Sequence, residues 1–509
     1  MRQIGKLALV AARGFRYNGY STAAARGWRS TIGLELHVQL LSKQKLFSAA
    51  SAKWDDAPNT NVCMVDASIP GSLPRLNPHC VRLAARAILG LEGQVQQISS
   101  FDRKHYFYLD QPLGYQITQQ QQPIGRGGFI DLCQAEGPDR SKRVRIHQLQ
   151  LEQDTAKSIH DVYPGYFLVD LNRAGVALIE IVTKPDLDSA EEAVQFVRKM
   201  QVLLRHIGVS NCNMEDGSMR CDVNVSVYRD GDNRLSGTRC ELKNLNSLKV
   251  IRNAIDAEVA RQIELLAAGK AVEQETRGFD ARSGRTFLVR SKEAAPDYRY
   301  MPDPDIPEVH ISGDWIKIVQ KTLPELPEVT RERLLNQYSL TKEDIEIMIN
   351  EPGCVSFFEH SAAGRDPKRV AAWVTSEIFG QLSYRAQRLA DSPLTAAQFG
   401  QLLDSLDNDE ITSSQAKQLL IEFMDGESRT AAELIKAHGW KVLSDESQIR
   451  KAAKDVLDMH PKEVLGYLKG QTRRLNFLIG KTMQVTKGQA RPQDVSRIVK
   501  ELLESKGAD

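Results

Sequence analysis

The 509-residue chain has no run of uncharged apolar residues long enough to cross a bilayer, so no membrane-spanning helix is expected. It has little net charge, +2 from 67 basic and 65 acidic residues. A global basic field therefore cannot recruit a polyanion, and any nucleic-acid surface must be local. It has few cysteines. The seven, at 63, 80, 133, 212, 221, 240 and 354, are odd in number and scattered, so no disulfide framework is indicated and a reducing compartment is the simpler reading. A P-loop is also lacking. The "GKT" at 480–482 ends like one, but Leu475 stands where the motif needs its first glycine. There is no G-x-S-x-G elbow and no cysteine–histidine nucleophile signature.

The first thirty residues contain no acid; the first is Glu35. They carry Arg2, Lys6, Arg13, Arg16, Arg26 and Arg29 among Ser and Ala, the composition of a mitochondrial transit peptide, assigned to residues 1–29. The whole chain is 41% hydrophobic and 26% charged, ordinary for a globular protein with several cores.

Residues 30–320 read as strands and loops. "IGLELHVQL", "RVRIHQLQLEQD", "ALIEIVT", "CDVNVSVY", "RCELKNL" and "RTFLVRS" have strand patterns. Two helical stretches, 189–208 and 247–269, lie between them, each ending at a glycine. No repeated βαβ spacing is visible, so the expected class is α+β with an antiparallel-sheet-rich first domain. Residues 321–443 read as a helical domain and 444–509 as a small helical tail domain. Residues 469–491 of the tail carry six basic side chains and no acid, which fits either a solvated face or nucleic-acid contact.

The strands share one feature. Leu34, Leu36 and Val38 alternate with Glu35 and His37; Leu149 and Leu151 alternate with Gln150 and Glu152; the valines 223, 225 and 227 oppose Asp222 and Asn224; Glu241 and Lys243 share a face. Carboxylates gathered from several strands are how magnesium is held, with histidine better suited to manganese or zinc. Separate salt bridges on separate faces fit the same spacing. Two further stretches, "FDRKHYFYLDQPLGYQITQ" and "RSKEAAPDYRYMPDPD", combine basic and aromatic residues. They read either as phosphate- and base-holding surfaces or as aromatic core strands with snorkelling cations.

Taken in order, "IGLELHVQLLSKQKLF", "PGSLPRLN", "DRKHYFY", "QLEQDTAKS", "DLNRAGVALIEIVTKPDL", "CDVNVSV", "GTRCELKNLNSLKVIRNAI", "SKEAAPDYRYMPDPDIP" and "GKTMQVTKGQARPQDV" resemble the GatB family, the B subunits of glutamyl-tRNA(Gln) amidotransferases. The resemblance covers nearly everything after the presequence. It implies a cradle domain, a helical domain and a tRNA-binding tail. It implies ATP- and Mg2+-dependent phosphorylation of the γ-carboxylate of Glu-tRNA(Gln), with ammonia then displacing the phosphate. Its implied partners are an amidase subunit that makes the ammonia, a small third subunit, and Glu-tRNA(Gln), in the mitochondrial matrix. Carried onto this sequence, it makes Glu35, His37, Glu152 and Glu241 the metal ligands, with Asp222 and Asn224 as second choices. It gives Lys104 and Lys243 to catalysis, Arg103 and Arg299 to ATP, and Lys487 and Arg491 to tRNA. A non-catalytic tRNA-binding scaffold is the alternative. The chain departs from the family where bacterial members carry four zinc-binding cysteines: here Ser48, Ala50, Cys63 and Asp66 occupy those positions. A thiolate-rich zinc centre is not expected, and packing must hold that loop.

Overall fold

The computed structural model describes residues 27–133, 141–291, 297–440, 445–486 and 489–506. The transit-peptide assignment, apart from its last three residues, lies outside them. The chain divides into two compact units, Met1–Leu326 and Pro327–Asp509.

The first unit is built on a ten-stranded sheet. Its central strands are β1 (Trp28–Gln39), β4 (Ser141–Gln153), β7 (Ala177–Thr183), β8 (Met219–Arg229) and β9 (Cys240–Leu245), with β10 (Glu275–Asp280) and β11 (Arg285–Ser291) at one edge. A short strand β2 (Asp102–His105) pairs with both β3 (Tyr115–Thr118) and β12 (Met301–Pro302) in a separate small sheet. A hairpin of β5 (Lys157–Tyr163) and β6 (Tyr166–Asp170) exposes Tyr163, Tyr166 and Phe167. In the large sheet the order is β11-β10-β9-β8-β1-β7-β4, continued by two short strands. All its pairings are antiparallel except β9 with β10. A helix crosses over between those two, as a parallel connection requires. All six strands read from the sequence are present. β1 begins at Trp28, two residues inside the segment assigned by composition to the presequence. There Arg29 bonds Asp230 at 2.6 Å.

Alternation gives the sheet two unlike faces. Ile32, Leu34, Leu36 and Val38 of β1 are at most 1% exposed. They join Leu149, Leu151, Ile179, Ile181, Val223 and Val225 in one core. Helices α1 (Pro78–Gly90), α2 (Ala190–His206) and α3 (Leu248–Ala267) pack into the same core. α2 starts at Ser189, whose hydroxyl accepts from Glu192 N–H, and α3 starts at Ser247, which accepts from Val250 N–H. A fourth helix, α4 (Gly313–Lys321), adds Trp315, Ile316 and Val319 to the core. The first unit therefore runs on to Leu326, past the compositional break at 320. The second face of the sheet keeps the polar residues and forms the cradle.

The loop after β1 is held by a buried ion pair. Lys45 is 0% exposed, and its Nζ lies 3.1 Å from Asp66 Oδ2 and 3.2 Å from Leu171 O. Asp66 Oδ2 also accepts from Ser48 Oγ at 3.1 Å and Cys63 N–H at 2.9 Å. Gly175 completes the packing: it sits at φ +80°, and a Cβ there would come within 2.9 Å of Asp66 Oδ1. One carboxylate and one ammonium thus hold a loop that has no thiolate cluster.

The second unit is helical among its described residues. Thr395, Thr412 and Thr430 start three helices with full capping boxes, their N3 partners being Gln398, Gln415 and Glu433. Its last helices, Glu446–Met459, Pro461–Leu468, Arg473–Val485 and Pro492–Lys506, enclose their own core of Ile449, Val456, Leu478, Ile498 and Leu503. No helix among the described residues is long and apolar enough to cross a membrane.

Asp66→Ala strands the Lys45 ammonium in the interior, so it should cost about 3–5 kcal/mol. A urea denaturation of the full chain should show the midpoint of the first unit fall. An unchanged midpoint would mean that the loop is held by other contacts.

Candidate active site on the polar face of the sheet

β1 sits between β7 and β8, and the register decides which polar side chains meet. Glu35 faces Asp222 of β8; His37 faces Arg220 of β8 and Glu180 of β7. β4 lies beyond β7 and brings Glu152 opposite Leu178. The result is a ring of acids around one imidazole. His37 Nε2 is 3.7 Å from Glu35 Oε1, 3.8 Å from Glu152 Oε1 and 3.8 Å from Glu180 Oε2. One ligand atom from each of Glu35, His37 and Glu180 lies within 4.8 Å of the other two. Glu152 and Glu180 are 1% and 6% exposed.

Two amides orient these acids. Gln150 Nε2 donates to Glu180 Oε2 at 2.7 Å, and Gln116 Nε2 donates to Glu152 Oε1 at 2.8 Å. Glu152 Oε2 is buried and has no hydrogen-bond donor; its nearest cation is Lys104 Nζ at 3.7 Å. A buried carboxylate oxygen without a donor is costly and is what a cation ligand looks like without its cation.

A second acidic group adjoins the first across Glu35. Lys243 Nζ lies 2.6 Å from Asp222 Oδ2 and 3.1 Å from Glu241 Oε1. Glu241 Oε2 accepts from Thr276 Oγ1 at 2.9 Å. Further along the same face, a recess of about 400 Å³ is lined by Thr31, Gly33, Asn224, Ser226, Arg239 and Gln274, among others.

Burial and crowding set the protonation states. Burial, reinforced by Lys104, Lys243 and Arg220, holds His37 well below the ordinary imidazole value, so the ring is neutral. Burial, then the charges of Glu152 and Glu35, push Glu180 well above the usual carboxylate range. Burial also raises Glu35, against the pull of Lys243. Lys104 is disfavoured as an ion by burial, yet Glu152 and Glu180 outweigh that and keep it charged. Burial likewise opposes the charge on Lys243, and Asp222 and Glu241 outweigh it. The set consists of hard oxygen donors and one neutral imidazole. It fits a divalent cation of the Mg2+ or Mn2+ type.

The residues singled out from sequence fall into three groups. Glu35, His37, Glu152 and Lys104 meet in the ring. Glu241, Lys243 and Asp222 form the neighbouring group, and Asn224 lines the recess. Arg103 and Arg299 stand apart. Strand alternation turns Arg103 away from Lys104, into bonds with Asp303 at 2.9 Å and Asp305 at 3.0 Å. The Arg299 side chain is 81% exposed, 3.5 Å from Asp297. Glu180 is the ring member that sequence reasoning misses. Its signal is a single acid inside "ALIEIVT", a strand otherwise fully apolar up to its terminal threonine.

In the tail, Arg473 and Lys469 are exposed, Arg474 is paired with Glu463, and Arg491 bonds Asp409 at 2.6 Å. Lys487 lies outside the described residues.

Cation binding requires the raised carboxyls of Glu180 and Glu35 to give up protons, while His37 has none to lose. Affinity for Mn2+ should therefore rise with pH above the ordinary carboxylate range and weaken as pH falls. Glu180→Gln should weaken it by about tenfold or more. Calorimetric Mn2+ titrations at several pH values check this. A variant that binds as wild type does would remove Glu180 from the ligand set.

Comparison with known proteins bears on the family of the whole chain. Residues 30–317 match a family model described as the GatB/GatE catalytic domain, and residues 356–503 match one described as a GatB domain. The chain is 43% identical over 489 residues to the B subunit of the mitochondrial glutamyl-tRNA(Gln) amidotransferase of Naegleria gruberi, covering 94% of this chain and 95% of that protein. It is 42% identical over 478 residues to the B subunit of the aspartyl/glutamyl-tRNA(Asn/Gln) amidotransferase of Rickettsia rickettsii (strain Iowa), covering 94% and 98%. The same identity and coverage hold for the Rickettsia felis protein of that description.

Proposed function

This chain belongs to the GatB family and is a subunit of a tRNA-dependent amidotransferase; from that premise we propose that its cradle activates the γ-carboxylate of Glu-tRNA(Gln) by phosphorylation. The observation that carries this reading is the ring of Glu35, His37, Glu152 and Glu180, with its donorless buried oxygen.

A carboxylate resists attack by ammonia until one of its oxygens becomes part of a good leaving group. Phosphoryl transfer from ATP supplies that group. It depends on positioning and charge neutralisation more than on covalent help from the protein. Mg2+ held by Glu35, His37, Glu180 and Glu152 supplies Lewis-acid charge stabilisation when bound. Lys104 and Lys243 bracket the acids and present fixed positive charge to phosphoryl oxygens. The recess beside Gly33 and Asn224 is of nucleoside size and lies next to Glu35 on the same face. It is the place for the nucleoside of ATP. Ammonia comes from an amidase partner, with a small third subunit completing the complex. The basic, acid-free first thirty residues and the mitochondrial relative support the mitochondrial matrix as its location. The exposed basic residues of the tail are proposed to meet tRNA phosphates.

Reconstitution with an amidase partner, Glu-tRNA(Gln), ATP and Mg2+ tests the activity. Wild type should convert tRNA-bound glutamate to glutamine. Glu152→Gln should lose on the order of 10²-fold or more, the scale of losing one preorganised electrostatic group, while still binding tRNA. Equal conversion by both would exclude the ring from the reaction and favour a scaffold.

Arg473→Ala tests the tail. It should lower the slope of log affinity for tRNA against log salt by about 0.7–0.9, the share of one phosphate contact. An unchanged slope would take this residue out of the interface.

A further inference from the structure

The two basic–aromatic stretches of the sequence are separated by almost two hundred residues, yet they form one feature. β12 pairs with β2, Met301 opposite Arg103, and His105 N–H donates to Tyr298 O at 2.8 Å. This places four tyrosines in a row. Ring centroids are 5.8 Å apart for Tyr108–Tyr106, 6.1 Å for Tyr106–Tyr298 and 5.9 Å for Tyr298–Tyr300. The outer end is open: Tyr108 is 65% exposed and its neighbour Phe107 is 88% exposed. The inner end reaches the acid ring. Lys104 Nζ lies 5.3 Å from the Tyr298 centroid and 3.7 Å from Glu152 Oε2. Tyr106 OH donates at 3.1 Å to Gln116, the same amide that holds Glu152.

Core aromatics bury their rings and bring them together with aliphatic side chains. These rings instead form a half-open ladder that begins in solvent and ends at fixed positive charge. The neighbouring rings meet tilted or edge-on, at interplanar angles of 59–75°, and the outermost, Tyr108, stands open to solvent. Exposed aromatic rings beside cations are what unpaired nucleotides stack on.

We propose that the ladder Tyr108–Tyr106–Tyr298–Tyr300 is a stacking track for the unpaired 3′ end of the aminoacyl-tRNA, directing the attached amino acid to Lys104 and the acid ring. This rests on the amidotransferase reading and makes these tyrosines positioning residues. Lys104 and the exposed Arg299 match the phosphates in charge. Stacking by contrast carries no counterion release, so it is separable from phosphate contacts.

The test uses the full chain in its amidotransferase complex and two tRNAs, one intact and one trimmed of its unpaired 3′ nucleotides. Tyr108→Ala and Tyr298→Ala should each bind intact tRNA about tenfold more weakly, within the range of one lost stacked base. The salt slope should not change, and affinity for trimmed tRNA should stay at the wild-type value, which also shows that the variants are folded. Tyr298→Phe should restore binding. A 2-aminopurine at the 3′ terminus should be quenched by wild type and brighter with Tyr298→Ala. If the alanine variants weaken both tRNAs equally, or neither, the track is overturned. If wild type still converts Glu-tRNA(Gln) in that case, only the track fails and the amidotransferase reading stands.

Discussion

Three carboxylates gathered around one imidazole, two of them buried, are the constraint on which the rest of the first unit depends. Two like charges about 4 Å apart repel by about 4 kcal/mol even at an effective dielectric of 20. Glu35, Glu152 and Glu180 crowd closer to one another than isolated acids would. Lys104 and Lys243 offset part of this, while burial and the charges of Glu152 and Glu35 push the Glu180 carboxyl well above the usual carboxylate range. The acids stay in place because their strands cannot move. Leu34, Leu36 and Val38 on the opposite face of β1 are locked in the core, and a one-residue register slip would bury Glu35 and His37 there instead. The apolar face thus provides the rigidity, and the polar face carries the charge that a cation neutralises.

Much of this was legible in the sequence. Strand alternation marked the polar face and put Glu35, His37, Glu152, Asp222 and Glu241 on it. Helical patterning and the glycine stops beyond α2 and α3 marked the helices. Convergence was not legible, because strand order is a long-range property. β1 pairs with β7 and β8, well over a hundred residues away. Glu180 was hidden for a related reason. β7 lies inside the sheet, so its apolar run carries no alternation for an acid to stand out against. Arg103 and Lys104, adjacent in sequence, point to opposite faces, which composition alone does not separate. The Lys45–Asp66 pair shows the converse: missing cysteines at 48, 50 and 66 foretold that packing would hold the loop, but not that Lys45 would supply the charge.

Along the cradle, three features lie in order on connected ground. The recess at Gly33 and Asn224 is on one side of Glu35; the acid ring is in the middle; the tyrosine ladder ends at Lys104 on the other. A phosphoryl donor and a tethered acceptor must approach from opposite directions for in-line transfer. The lysines bracket this centre, which suits a reaction whose transition state spreads negative charge over several oxygens.

The central claim is that the γ-carboxylate is activated as an acyl phosphate in this cradle. Glu-tRNA(Gln) whose γ-carboxylate carries ¹⁸O in both oxygens tests it directly. With the amidase partner, glutamine, ATP and Mg2+, the inorganic phosphate released during conversion is analysed by mass spectrometry. Attack of a carboxylate oxygen on the γ-phosphorus, followed by displacement by ammonia, leaves one ¹⁸O in each phosphate formed. Conversion accompanied by phosphate without the label would contradict the account.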